Sequence, residues 1–345
     1  SILRAVTGNL DVVGGEQLHA PHPGWVPEGE LQLHDALPAE QRAKQLGYRK
    51  HPVYTYRTAE MLAGPLEKVW GVRWMDQVMG CHMANPSEVF RAMETGDPYP
   101  VRAFFTVGNN TLLSYANQHP IHRALLGQDL VVAQEIFMTP TAMLADYVLP
   151  GDVFTERSQV ADSWGWSNRL TLSEQAVEPG GEIRSTFAFW RDLAHAMGHG
   201  AHFPWATLED LLDHRLAPSG LTFAEFAATR LMDMPPPAFR KYRRKGFATP
   251  SGKVELSSSI LRDLGFDPLP YHRESRPIDD AHPYRVFTGV REDPFFQTGQ
   301  RNVEVLRRKS PWPRVFIHPS DAEREGLCDG DWVRVETPHG HVTAI

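Results

Sequence analysis

Three consecutive residues, Gly108-Asn109-Asn110, stand where a nearly continuous apolar run, 101–107, ends. A run of that kind is the signature of a strand buried on both faces. Glycine just past it lets the backbone approach a phosphate or a base, and asparagine amides donate to oxygens. A tight turn is the plain alternative for the same residues. Glu135, next to Gln134, ends a second apolar run, 130–133. A carboxylate there can accept hydrogen bonds from a ribose or a guanine, or can simply be solvated. Two histidine pairs, His19/His22 and His199/His202, have spacings that could chelate a metal, and so could Cys81-His82, but the histidines lie in polar loops that favour no metal. No catalytic acid or base can be named.

The elements that must hold these residues follow from pattern and punctuation. The stretch 101–150 reads as strand, Gly/Asn loop, helix, strand, polar loop, short helix, strand. That is the layout by which an α/β domain holds a nucleotide at the carboxyl ends of its strands. Asn117 can cap a helix to Leu126, with Pro120 in its first turn, and a third strand covers 147–149. Upstream, 2–6 ends a helix and 16–58 is a long surface excursion. A helical signal over 58–71 is interrupted at Gly64-Pro65, and Ser87 and Gly96 bound a further helix. Downstream, 153–182 resembles a loop reaching over a site, and a helix covers 185–197. Thr207 with Asp210, and Thr222 with Glu225, have capping-box spacing. Pro235-Pro236-Pro237 is a stiff linker, the basic run 240–245 a solvated face, and 247–265 turn, strand and helix. Composition changes at 279–283. Beyond it strands are expected at 284–288, 314–317, 332–336 and from 341 onward, with a small helix at 319–325.

The predicted fold class is α/β: a doubly wound nucleotide-binding domain followed by an incomplete β-barrel. Its expected divisions are 1–98, the tail of a preceding α/β domain plus the excursion; 99–278, the dinucleotide-binding domain; and 279–345, the start of the barrel. The chain has 345 residues, enough for two or three domains, and a formal net charge of −7, which argues against nucleic-acid binding. Two cysteines exclude a disulfide framework and an iron–sulfur cluster built from this chain alone. No apolar run approaches the ~20 residues of a membrane span. Both ends look cut from something longer, so the compartment is left open.

The wording of four blocks is more specific than the layout. ILRAVTGNLDVVGG, the stretch 101–156, GFATPSGKVEL and 284–341 resemble, in order, the molybdopterin oxidoreductases that carry bis-(molybdopterin guanine dinucleotide), the dimethyl sulfoxide reductase family. The resemblance is poor over 16–95 and 199–240. It implies that the Gly108-Asn109-Asn110 loop borders the guanosine part of one cofactor, with Asn110 where proline is usual. Gln134 and Glu135 would contact the cofactor, with Glu135 where aspartate is usual. Thr139 and Thr141 would bind the loop or a phosphate, and Asp146 would join them or fix the loop. Thr288-Gly289, Arg291, Gln297, Thr298 and Arg301 match a segment that packs against the pterins. Guanidiniums suit it because they bind pyrophosphate or pterin oxygens through paired bonds, although surface ion pairing is their plain alternative. Gln297 stands where histidine is common, so a proton relay through that position does not transfer.

The resemblance further implies molybdenum or tungsten held by two pterins and cycling between +4 and +6. It places a metal-ligating residue and a [4Fe-4S] cluster in an N-terminal part outside this chain. The expected activity is two-electron redox on a small substrate, by oxygen, sulfur or hydride transfer. A ferredoxin-like electron-transfer subunit is the expected partner. The wording leans to the polysulfide/thiosulfate reductase and acetylene hydratase-like branch. The location stays open between bacterial or archaeal cytoplasm and periplasm. Two rivals remain: a non-catalytic scaffold in an electron-transfer complex, as in respiratory complex I, and a plain nucleotide-binding module.

Overall fold

Thr55 starts the longest helix, α1 (Tyr56–Trp70), by accepting a hydrogen bond from the Arg57 N–H. The computed structural model describes residues 2–18, 20–75, 83–161, 169–229, 231–233, 238–274, 278–288, 293–295, 299–338 and 340–345. The break expected at Gly64-Pro65 is absent, and α1 runs through both. Proline removes one intrahelical donor. Burial of Ala59, Ala63, Leu66 and Val69 along the helix outweighs that loss. Tyr56, Ala59 and Leu66 pack with Trp74 and Met75 into the first of three small cores. Helix α2 (Pro86–Thr95) is capped by Asn85, not by Ser87 as expected, because Pro86 takes the first helical position and the Asn85 side chain accepts from Glu88 N at 3.3 Å. Gly96 ends it at φ 74°, as expected.

Strand β1 (Ala103–Val107), helix α3 (Gln118–Leu126), and strands β2 (Leu130–Glu135) and β3 (Tyr147–Pro150) form the unit that matters for function. The three strands are parallel in the order β1-β2-β3. Val107 pairs with Gln134, and Glu135 with Pro150, so the carboxyl ends line one edge. Only β2, in the middle, is buried along its length. In β1, Ala103 and Val107 are exposed, so burial on both faces fails there. Its outer side has no neighbouring strand among the described residues. Ile121, Ala124 and Leu125 of α3 pack with Met93 of α2 as the second core. Asn117 occupies the cap position at φ 60° but makes no side-chain cap bond, contrary to expectation.

The stretch after β3 is not the loop it resembled. It carries β4 (Gln159–Ala161) and β5 (Arg169–Ser173), antiparallel to each other, with β6 (Leu231–Asp233) on the far side of β5. Strands of three to five residues offer too few alternations to reveal a period of two. Helix α4 (Thr186–Ala196) is capped by Ser185. Helices α5 (Leu208–Leu216) and α6 (Phe223–Thr229) follow, with the expected Thr207/Asp210 box and Thr222–Glu225 bonds in place. Val160, Leu170, Leu212, Leu216 and Phe226 join Trp25 in the third core.

Helix α7 (Ser259–Asp263) follows 251–257 without the expected strand. Helix α8 (Pro319–Glu325) leads to the hairpin of β7 (Val333–Thr337) and β8 (Gly340–Ala344). The strands expected at 284–288 and 314–317 do not form. Backbone bonds from Val315 N to Ile345 O, 2.8 Å, and from Ile345 N to Pro313 O, 2.9 Å, tie the second to the hairpin. Val286, Phe287 and Phe316 are left exposed with no sheet to pack on.

Glu255 braces the start of α7. Burial raises its pKa, but hydrogen bonds from the N–H and hydroxyl of Ser259 and from Ser251 N outweigh that and bring it from 4.5 to about 2. The unfolded chain therefore takes up this proton first as pH falls. Glu255 contributes stability above about pH 4.5 that drains away as pH falls towards about 2. The group is largely solvated, so screening reduces the effect. The expected result for Glu255→Gln is a melting-temperature deficit that is largest above pH 5 and vanishes near pH 2. A deficit independent of pH would show that the carboxylate charge is not what braces the helix.

Candidate nucleotide cleft

The carboxyl edge of the parallel sheet opens into a cleft of about 420 Å³, within the range of ligand pockets. β1 supplies Val107 and the residues just after it, Gly108 and Asn110. β2 supplies Gln134 and Glu135, followed by Ile136, Phe137 and Thr139, and the end of β3 supplies Gly151 and Asp152. Arg157, Thr186 at the start of α4, and Gly299, Gln300 and Asn302 complete it.

Gly108 adopts φ 57°, a left-handed conformation that suits glycine, and its N–H donates to Gln134 O at 3.0 Å. The chain thus turns sharply over the end of β2. Asn109 is exposed, does not line the cleft, and donates its backbone N–H to the Glu135 carboxylate. Thr141, fully buried, donates to Asn110 Oδ1 at 2.8 Å and accepts from Leu112 N at 2.9 Å, which locks the two loops together. Thr139 accepts from Ala142 N at 3.2 Å and still reaches the cleft wall. Asp146 faces elsewhere: its carboxylate accepts from Val131 N at 2.7 Å and fastens β3 to β2.

Burial pushes the Glu135 carboxyl up, and the N–H groups of Ile136 and Asn109 offset this in part. Gln134, 3% exposed, is held by Arg184 O at 2.9 Å and by the Thr186 hydroxyl at 3.3 Å. Asp152 was not foreseen. Its side chain is 2% exposed, Oδ1 pairs with Arg157 at 3.1 Å, and Oδ2 has no hydrogen-bond partner. The same strand-end rule that picks out Glu135 after β2 picks out Asp152 after β3. Acceptors outnumber cations here: two carboxylates and the Gln134 amide oxygen face one guanidinium. Such a lining suits a nucleoside, which offers ribose hydroxyls and base N–H groups, and Gly108 and Gly151 leave the edge open.

Of the C-terminal candidates, Gly289, Arg291, Gln297 and Thr298 lie outside the described residues, as do His19, Cys81 and His82. Thr288 is exposed and does not line the cleft. Arg301 sits over the Phe295 ring at 4.6 Å, between the cleft residues Gln300 and Asn302. No group of three His, Cys, Asp or Glu among the described residues could hold a metal ion. No helix among them is long and apolar enough to cross a membrane.

Residues 54–196 match the family model described as molybdopterin oxidoreductase, and 286–345 the molydopterin dinucleotide binding domain. Acetylene hydratase of Syntrophotalea acetylenica is 43% identical over all of this chain and 48% of its own length. The molybdopterin-containing subunit of thiosulfate reductase from Salmonella typhimurium is 26% identical over 71% of this chain and 36% of its own. The solved structure of acetylene hydratase from Pelobacter acetylenicus superposes with a TM-score of 0.93 at 42% identity, over all of this chain and 48% of that one. The chain therefore spans about half the length of these relatives or less.

Proposed function

This chain belongs to the molybdopterin oxidoreductases, and we propose that it is the dinucleotide-binding part of a molybdenum or tungsten enzyme carrying bis-(molybdopterin guanine dinucleotide). The observation that carries this is the acceptor-lined cleft at the carboxyl edge of β1-β2-β3, set between two segments that match cofactor-binding families. A doubly wound sheet around it, a barrel of double-psi type in the C-terminal segment, and the divisions 1–98, 99–278 and 279–345 belong to the same proposal.

The cofactor supplies the two-electron chemistry when bound. The residues of this chain bind and orient it. Gly108 and Gly151 let the nucleoside approach the backbone, Glu135 and Asp152 accept its hydroxyl and N–H groups, and the Thr141–Asn110 bond fixes the loop beside it. Arg301, with Arg291, is assigned to pyrophosphate or pterin oxygens. The reaction is oxygen, sulfur or hydride transfer to or from a small substrate, with a ferredoxin-like partner and a [4Fe-4S] cluster outside this chain. Identity to acetylene hydratase along the whole chain supports a second reading, addition of water to a small triple-bonded substrate.

Elemental analysis of the full-length protein, purified without oxygen, tests the proposal. About one molybdenum or tungsten per chain is expected. Iron with neither metal would favour the conducting scaffold, and a folded protein with none of the three would leave a nucleotide-binding module. A metal-loaded protein that hydrates acetylene without an electron acceptor would favour the second reading over redox. Glu135→Gln is expected to weaken guanosine monophosphate binding to the cofactor-free protein about tenfold, the worth of a hydrogen bond to a charged group. Calorimetry checks it, and wild-type affinity should itself fall as the carboxyl protonates, at a pH above the ordinary glutamate range.

A further inference from the structure

We propose that Asp152 reads the base of the bound nucleotide and selects guanine over adenine; this rests on the dinucleotide reading of the cleft. Two carboxylates line the same cleft, and a nucleoside offers them two kinds of donor, ribose hydroxyls and base N–H groups. The two carboxylates differ in burial. Glu135 is half-buried at the end of β2, whereas the Asp152 side chain is 2% exposed. A flat, largely apolar base takes the most buried part of a cleft, and the sugar stays nearer the mouth. The more exposed carboxylate, Glu135, then suits the ribose, which leaves Asp152 for the base.

The bonding of Asp152 supports the same division. Its Oδ1 is engaged by Arg157 at 3.1 Å, and its Oδ2 is buried with no partner. Native proteins rarely leave a buried acceptor without a donor, and one on a residue that lines a cleft marks a place for a ligand donor. Gln134 does not compete for that role, because its oxygen takes the Thr186 hydroxyl and its nitrogen the Arg184 carbonyl. Guanine carries N1–H and N2–H₂ side by side on one edge, which matches a carboxylate. Adenine presents the N1 lone pair at that edge and meets a negatively charged oxygen. Oδ2 is itself covered, so the base reaches it only after a neighbouring side chain moves, and Arg157, 36% exposed and paired with Oδ1, is assigned that movement. Arg157 is thus a positioning residue.

The test uses the full-length protein freed of cofactor, titrated by calorimetry with guanosine, inosine, adenosine and N1-methylguanosine monophosphates. The wild type is expected to bind guanosine monophosphate at least tenfold more tightly than the adenosine and N1-methylguanosine forms, with inosine between. Asp152→Asn should bring guanosine down to the adenosine level, while Glu135→Gln weakens all of them and keeps their order. Retained guanosine preference in Asp152→Asn overturns the assignment and leaves the dinucleotide reading standing. Equal wild-type binding of guanosine and its N1-methyl form also overturns it, with no variant needed. A wild type that binds none of the four overturns the dinucleotide reading and this inference together.

Discussion

Replacing Thr141 by valine is expected to cost about 3 kcal/mol of stability and to weaken guanosine monophosphate binding by more than tenfold. The Thr141 hydroxyl is wholly buried and makes two bonds, to Asn110 Oδ1 at 2.8 Å and from Leu112 N at 2.9 Å. Valine fills the same volume but offers neither donor nor acceptor. An amide oxygen and a backbone N–H both lose their partner, and each such loss costs about 1–3 kcal/mol. The two loops joined by this hydroxyl, 108–112 and 139–142, carry three cleft residues, Gly108, Asn110 and Thr139. Their separation therefore degrades the site as well as the fold. Thr141→Ser keeps the hydroxyl and should keep most of both. Denaturant unfolding and calorimetry on the three proteins check this. Equal stability of the valine and serine variants would show that the lock is not what holds the loops.

Much of this edge was legible in the sequence because strand ends announce themselves. Gly108 and Glu135 each follow an apolar run, and both line the cleft. Asp152 follows a run as well, but the third run is only four residues long as a strand and leads into a stretch without visible period. Its burial depends on Thr186, which lies 34 positions downstream and approaches because α4 packs there. No local pattern encodes such a contact. Asp146 shows the opposite case: the motif around it is strong, yet its carboxylate serves Val131 N within the sheet. A motif fixes which residues are present, and the fold decides which atoms face the ligand. The C-terminal strands expected at 284–288 and 314–317 illustrate a third limit. Their apolar patterns are real, with Val286, Phe287 and Phe316 exposed, but a strand exists only when a partner completes its ladder.

Lys241→Met is expected to be more damaging than any cleft substitution, at about 3–5 kcal/mol, although the residue lies in a run that reads as a solvated basic face. Lys241 is not solvated. Its side chain is 14% exposed, and its ammonium meets Asp11 Oδ1 at 2.5 Å, where the Asp11 side chain is 0% exposed. Asp11 also accepts from Lys241 N at 2.6 Å and Leu18 N at 3.1 Å, and its carbonyl takes Arg240 N at 2.7 Å. This knot ties together residues 230 positions apart, and methionine would leave a buried carboxylate with no counter-charge. Burying an ion pair gains little over a neutral pair, whereas stranding one ion is expensive. Adding Asp11→Asn to Lys241→Met should therefore recover more than half of the loss. Asparagine suits the position doubly, since Asp11 holds φ 54°, a conformation asparagine tolerates well, and its amide oxygen still accepts a backbone N–H. Denaturant unfolding of the two single variants and the double variant measures the coupling. A single Lys241→Met within 0.5 kcal/mol of wild type, about the ordinary scatter for an exposed site, would mean that the knot does not join the two segments in solution.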